Sequence, residues 1–162
     1  MKGPTVNSPN ILVSQGDRLL QVGVALFLFT SFEGFAIPYF ASPIVGRSVH
    51  TLSALLGLIL LAFGLVWPRL RLGVTGSRIA FGFLVYSGLA ITAAFFLAAM
   101  WGAGQSTMPL SGAPLGTAVE EAAITAVAYS SAPTGIIAFA LILWGLRTPS
   151  NRAASTLDER RG

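Results

Sequence analysis

Four long apolar stretches, separated by short polar ones, organise this chain. Leu19–Phe40 is interrupted only by Glu33 and Pro38, whereas Val49–Trp67 carries no formal charge, and Pro68 with Arg69, Arg71 and Arg78 follows it closely. Ile79–Trp101 is uncharged, with Tyr86, Ser87 and Thr92 as its polar groups; the fourth stretch runs from about Val119 to Leu146, opens on Glu120 and Glu121, and contains Pro133. At ~1.5 Å per residue the second stretch is ~28 Å long, near the hydrocarbon thickness of a bilayer. Backbone polar groups must pair internally in lipid, so each stretch is expected to be a helix. The short connections then predict an all-α integral membrane protein, an antiparallel four-transmembrane-helix bundle. Pro133 removes one helix hydrogen bond and predicts a kink.

The flanks differ from the spans. Residues 1–18 read as a polar leader and 148–162 as a polar, disordered tail, leaving 19–147 as the membrane domain. The first apolar run exceeds a secretory h-region, and Ala41-Ser42-Pro43 makes a poor cleavage site, so the run is expected to be a retained anchor. Of ten basic residues, nine fall in the leader, the second loop and the tail; Arg47 alone lies in the first loop and none in the third. Positive charge collects on the cytoplasmic side, which puts both termini there, in the inner (cytoplasmic) membrane of the cell.

Composition supports the lipid assignment: 54% of residues are hydrophobic, 10% are charged, and mean hydropathy is +0.74. The net charge of +4 lies in loops and tails rather than on one face. It therefore speaks for orientation in a bilayer and against nucleic acid as a partner. The absence of cysteine excludes disulfides, thiol catalysis and cysteine-ligated metals. Small residues at helical spacing, Gly57 and Gly64 in the second span and Gly82 and Gly88 in the third, allow close helix approach. The same residues suit contacts between copies, which leaves a homo-oligomer open.

Ionisable groups inside lipid are costly and commonly functional. Glu33, His50 (the single histidine) and the Glu120–Glu121 pair all fall in the outer half of the expected bundle. Glu121, Thr125 and Tyr129 share one face of the fourth helix by their spacing of four. Structural roles are available to each. An interfacial histidine can simply hydrogen-bond, and Glu120 or Glu121 can complement a helix N-terminus. Glu33 can pair with Arg47, His50 or a polar group of the fourth helix. Tyr39, Trp67, Trp101 and Trp144 sit at span ends as an aromatic belt would. No phosphate-binding loop, HExxH or catalytic triad is present.

Several short runs recur together in one order: FASP and then His50, GLVWPRLRL (Gly64–Leu72), AAMWGAG (Ala98–Gly104), MPLSG (Met108–Gly112), EEAAI (Glu120–Ile124), SSA (Ser130–Ala132) and LILWGLR (Leu141–Arg147). With them, Phe40–Arg147 resembles the hydroxylaminobenzene mutase family, small four-span membrane proteins distantly similar to styrene oxide isomerase. The resemblance implies an isomerase that rearranges a small N-aryl hydroxylamine to an aminophenol, or acts on a related small aromatic substrate, without consuming a redox cofactor. By the same resemblance His50 would hold haem b iron, as the corresponding histidine does in the epoxide isomerases, or transfer a proton. Glu121 and Glu33 complete the expected catalytic set, and Trp101, Thr125 and Tyr129 the expected substrate pocket. The chain departs from the pattern at Leu56 and Ile91, where the mutases carry asparagine, and near Phe95, where the epoxide isomerases carry an aromatic hydroxyl. A different class fits the same composition: a non-enzymatic four-helix subunit that binds a ligand or serves assembly.

Overall fold

The computed structural model describes residues 8–147. They form four long helices: α1 (Ser8–Ala36), α2 (Pro43–Val66), α3 (Val74–Trp101) and α4 (Ala118–Gly145). Short 3-10 turns at Ile37–Tyr39, Trp67–Arg69 and Pro109–Ser111 link or follow them, and no strand occurs among the described residues. All four helices are long and apolar enough to cross a membrane. The tail expected at 148–162 and the first seven residues lie outside the described part.

Three helices start earlier than the apolar pattern suggests. Most of the expected leader is helical, because tertiary contacts hold it. Leu12 and Leu19 are buried, and the Trp67 indole Nε1 donates to Gln15 Oε1 at 3.1 Å. Trp67 is therefore a core residue at 0% exposure rather than part of an aromatic belt, while Tyr39, Trp101 and Trp144 are exposed. The expected loop before Val49 is largely the first turns of α2, with Pro43 at its start, where a missing N–H costs nothing. Helix α4 continues through Pro133, and the Ser87 hydroxyl of α3 donates to the Ser131 carbonyl at 2.8 Å.

The closest packing is pairwise, α1 on α2 and α3 on α4, with α2 against α3 joining the pairs. Helix α4 meets the first pair mainly through side chains such as Phe139, which lies 5.8 Å from Phe63 between ring centroids. The α1–α2 seam is a glycine contact. A Cβ on Gly23 would lie 2.9 Å from the Gly57 carbonyl oxygen, and one on Gly16 would lie 2.8 Å from that of Gly64. Two glycines seven residues apart on each helix thus let the backbones touch. The Thr30 and Ser53 hydroxyls extend the seam with a 2.7 Å hydrogen bond. Of the two glycines expected to matter in α3, Gly82 meets nothing within 4 Å, whereas a Cβ on Gly88 would lie 3.9 Å from Leu56 of α2.

The core divides into two clusters. One surrounds Leu19, Leu60, Trp67, Leu84 and Ile142; the other surrounds Val45, Val49, Ala94, Ala98 and Ile124. The candidate chemistry lies beside the second. There the α1–α2 connection docks on the end of α3, with the Ser42 N–H donating to the Ala99 carbonyl at 3.0 Å. Helix α3 stops at Gly102, whose left-handed conformation (φ 64°) suits glycine, and its N–H caps the Ala98 carbonyl.

Candidate functional site

Helices α1 and α2 bring Glu33 and His50 together. Glu33 follows the Gly16–Gly23 stripe along α1, and Gly34 leaves room for the ring: a Cβ there would be 3.0 Å from its Cε1. His50 Nδ1 lies 3.2 Å from Glu33 Oε2. With the carboxylate ionised it accepts from Nδ1–H, and in the neutral ring that tautomer leaves the lone pair on Nε2. The side chains differ sharply in exposure, 1% for Glu33 and 45% for His50. The second carboxylate oxygen, Oε1, is buried without a hydrogen-bond partner among the described residues. Of the partners expected for Glu33, the structure selects His50 and not Arg47.

Glu33 also lines an aromatic groove of about 480 Å³ between α1 and α3, walled by Phe29, Phe32, Phe40, Phe96 and Met100. Phe96 meets Phe29 and Phe40 edge-on, at 5.7 and 5.8 Å between centroids. A volume of this order suits one small aromatic molecule.

The acidic pair of α4 is used differently. Glu120 forms a capping box with Thr117, fulfilling the helix N-terminus role. Glu121 does not meet His50 or Glu33 in a hydrogen bond. Its Oε1 accepts from the N–H groups of Gly104 (2.7 Å) and Gly116 (2.9 Å), and its Oε2 from that of Ser106 (3.0 Å). The α3–α4 loop is folded around this carboxylate. Gly104 adopts φ 110°, and a Cβ on Gly116 would meet Ala103 at 2.4 Å, so both positions need glycine. Thr125, one turn further, shares a 2.6 Å hydrogen bond with Thr107 of the loop.

Comparison with known proteins gives this geometry a family. The profile described as styrene oxide isomerase matches residues 15–147. The chain belongs to the styrene oxide isomerase family. It is 42% identical to hydroxylaminobenzene mutase HabB of Ectopseudomonas oleovorans over 149 residues, 91% of each chain. It is also 30% identical to hydroxylaminobenzene mutase HabA of the same organism over 129 residues, covering 79% of this chain and 96% of that one. No solved structure matches it significantly. The resemblance carried by the short runs is borne out, and the family, with two mutases among the chain's relatives, supports an isomerase enzyme.

Within the family fold the expected pocket residues separate. Tyr129 is 65% exposed and lines a groove of about 270 Å³ between α3 and α4, together with Ile91, Phe95 and Thr107. Two of the three departures, Ile91 and Phe95, thus share one groove, whereas Leu56 lies against Gly88 where α2 meets α3. Trp101, at the exposed end of α3, lines neither groove. The aromatic groove beside Glu33 contains none of the expected pocket residues Trp101, Thr125 and Tyr129. Its sequence signal is the placement of Phe29 and Phe32 about one turn before Glu33 and Ala36, easily lost in a run rich in phenylalanine.

Proposed function

We propose that this isomerase is embedded in the inner membrane, both termini cytoplasmic, and rearranges a small N-aryl hydroxylamine to an aminophenol beside the Glu33–His50 pair. The reaction breaks the N–O bond, forms a ring C–O bond, and removes a ring proton while nitrogen gains one. Atoms and electrons balance without an external oxidant or reductant. The observation that carries the proposal is the carboxylate–imidazole pair set between apolar helices, next to an aromatic groove. Both relatives named above are hydroxylaminobenzene mutases, which supports this substrate class.

Each residue then has a definite task. Glu33 Oε2 holds the Nδ1–H, which orients the ring and raises the basicity of Nε2. His50, half-exposed and oriented by Glu33, is the residue that would hold a haem iron through Nε2, and that iron would supply a Lewis acid for the substrate oxygen. Without iron the Nε2 lone pair takes and returns a proton. The phenylalanines receive the aromatic ring, and Oε1 of Glu33 offers a buried acceptor to the substrate N–H or O–H. Glu121 is assigned an anchoring task instead of acid–base chemistry, since its two oxygens already accept three backbone N–H groups.

The test is turnover of hydroxylaminobenzene by purified protein in lipid, wild type against His50→Ala. Wild-type protein should form aminophenol, and the variant should lose about 100-fold or more while still inserting. Loss of a Soret band together with activity identifies His50 as the iron ligand, whereas loss of activity with no pigment to lose identifies it as the proton carrier. Unchanged turnover in His50→Ala would overturn the assignment.

A further inference from the structure

The far end of the α1–α3 face carries a second feature that the isomerase chemistry does not use. Arg18 of α1 and Arg78 of α3 line one cavity of about 390 Å³ with Asn10, Ser14 and Gln15. Both arginines are exposed, and neither makes an ion pair among the described residues. Gln15 has committed its amide oxygen to Trp67, which leaves its NH₂ as a donor. The site is thus rich in donors and carries two positive charges.

A separate apolar furrow of about 370 Å³ lies further along the same two helices. Its walls are Val22, Ala25 and Phe29 of α1 and Leu89, Ala93 and Phe96 of α3. Arg18, Val22, Ala25 and Phe29 follow at steps of four, three and four, so they share one face of α1. From Arg18 to Phe29 is ~16 Å along the helix axis, about half of the ~30 Å hydrocarbon core and so the depth of one leaflet. Basic pockets between helices at the cytoplasmic surface are suited to anionic lipid headgroups.

We infer that the α1–α3 furrow is a binding site for one anionic phospholipid of the cytoplasmic leaflet, its phosphate between Arg18 and Arg78 and an acyl chain along Val22–Phe29. The inference rests on the membrane placement proposed above but on neither the substrate nor His50. Charge selects the occupant: an apolar helix of a second copy brings no counter-charge to the two arginines, and a zwitterionic lipid brings a phosphate together with an ammonium that the arginines repel, whereas an anionic lipid brings the phosphate alone. The acyl chain ends at Phe29 and Phe96, which also wall the aromatic groove, so the lipid closes that groove on its cytoplasmic side.

Native mass spectrometry of the full chain released from mild detergent is the test, with phosphatidylglycerol and phosphatidylcholine as probes. Wild type should retain phosphatidylglycerol in preference to phosphatidylcholine, and Arg18→Gln with Arg78→Gln should weaken that retention about 30-fold. Ala25→Trp, which fills the furrow and leaves both arginines in place, should also displace the lipid. Equal retention of the two lipids, or retention unchanged in the double variant, overturns the inference. So does thermal stabilisation by inorganic phosphate alone that matches phosphatidylglycerol, because the site would then be one for a free anion. Dissociation of an oligomer by Ala25→Trp with lipid content unchanged would assign the furrow to a second copy and overturn it equally.

Discussion

His50 has two ring nitrogens, and the environment divides their work. Glu33 engages Nδ1 at 3.2 Å, so substitutions at Glu33 should act through the histidine. Glu33→Gln retains an oxygen that can accept from Nδ1 and should keep much of the activity. Glu33→Leu removes the acceptor and should lower turnover by about 10- to 100-fold, the usual scale for a partner that orients a ligand or base. Steady-state rates of the two variants check the ordering, and equal rates would show that the contact is packing only. Neither residue type nor spacing announced this partnership, since Arg47 was an equally available charge. The rotation of α1 on α2, set by the glycine seam, decided it.

Helices and loops carry a different set of constraints. On the α1–α2 seam, Gly23→Ala would set a Cβ 2.9 Å from the Gly57 carbonyl oxygen, where the opposing atom is backbone and cannot turn aside. Separation of the helices should cost about 1–3 kcal/mol, measured as lowered resistance to denaturant in micelles, whereas Gly82→Ala, in open space, should be neutral or slightly stabilising. In the α3–α4 connection, Glu121→Ala leaves three backbone donors without their acceptor. Proteolysis of the 102–117 loop should become much faster in that variant, with turnover falling less than in His50→Ala. A loss of turnover equal to that of His50→Ala, in a protein whose loop stays resistant, would return Glu121 to the chemistry. The face shared by Glu121, Thr125 and Tyr129 was legible from spacing, but the spacing does not say what faces it. Two of the three turn out to meet the loop or its hydroxyl.

Across the whole molecule, the proposed orientation rests on the distribution of the basic residues. A reporter fused after Arg161 should be active only on the cytoplasmic side, and one inserted between Gly104 and Gly116 only on the other. The opposite labelling would place Glu33 and His50 in the cytoplasmic half and move the arginine cavity to the outer surface. Groups as far apart as Arg18 and Glu33 are coupled in these tests only by the rigid helix that bears both.

The pattern of residues along the chain was sufficient for class and family. Long uncharged runs admit only helices in lipid, and the ordered motifs are sequence properties that persist without coordinates. Helix ends were less legible. The first turns of α1 are polar in composition and helical because Trp67, some fifty residues away, packs on Gln15 and Gly16. The site was half legible. His50 and Glu33 stood out as ionisable groups in apolar surroundings, whereas the removal of Glu121 to a loop anchor depended on backbone N–H groups, which no residue type advertises. The aromatic groove likewise exists only where α1 and the turn after it face α3. Hydrophobicity is a property of each residue and can be summed along a chain, but hydrogen-bond partners and grooves belong to pairs of helices at a particular rotation, and only tertiary packing sets that rotation.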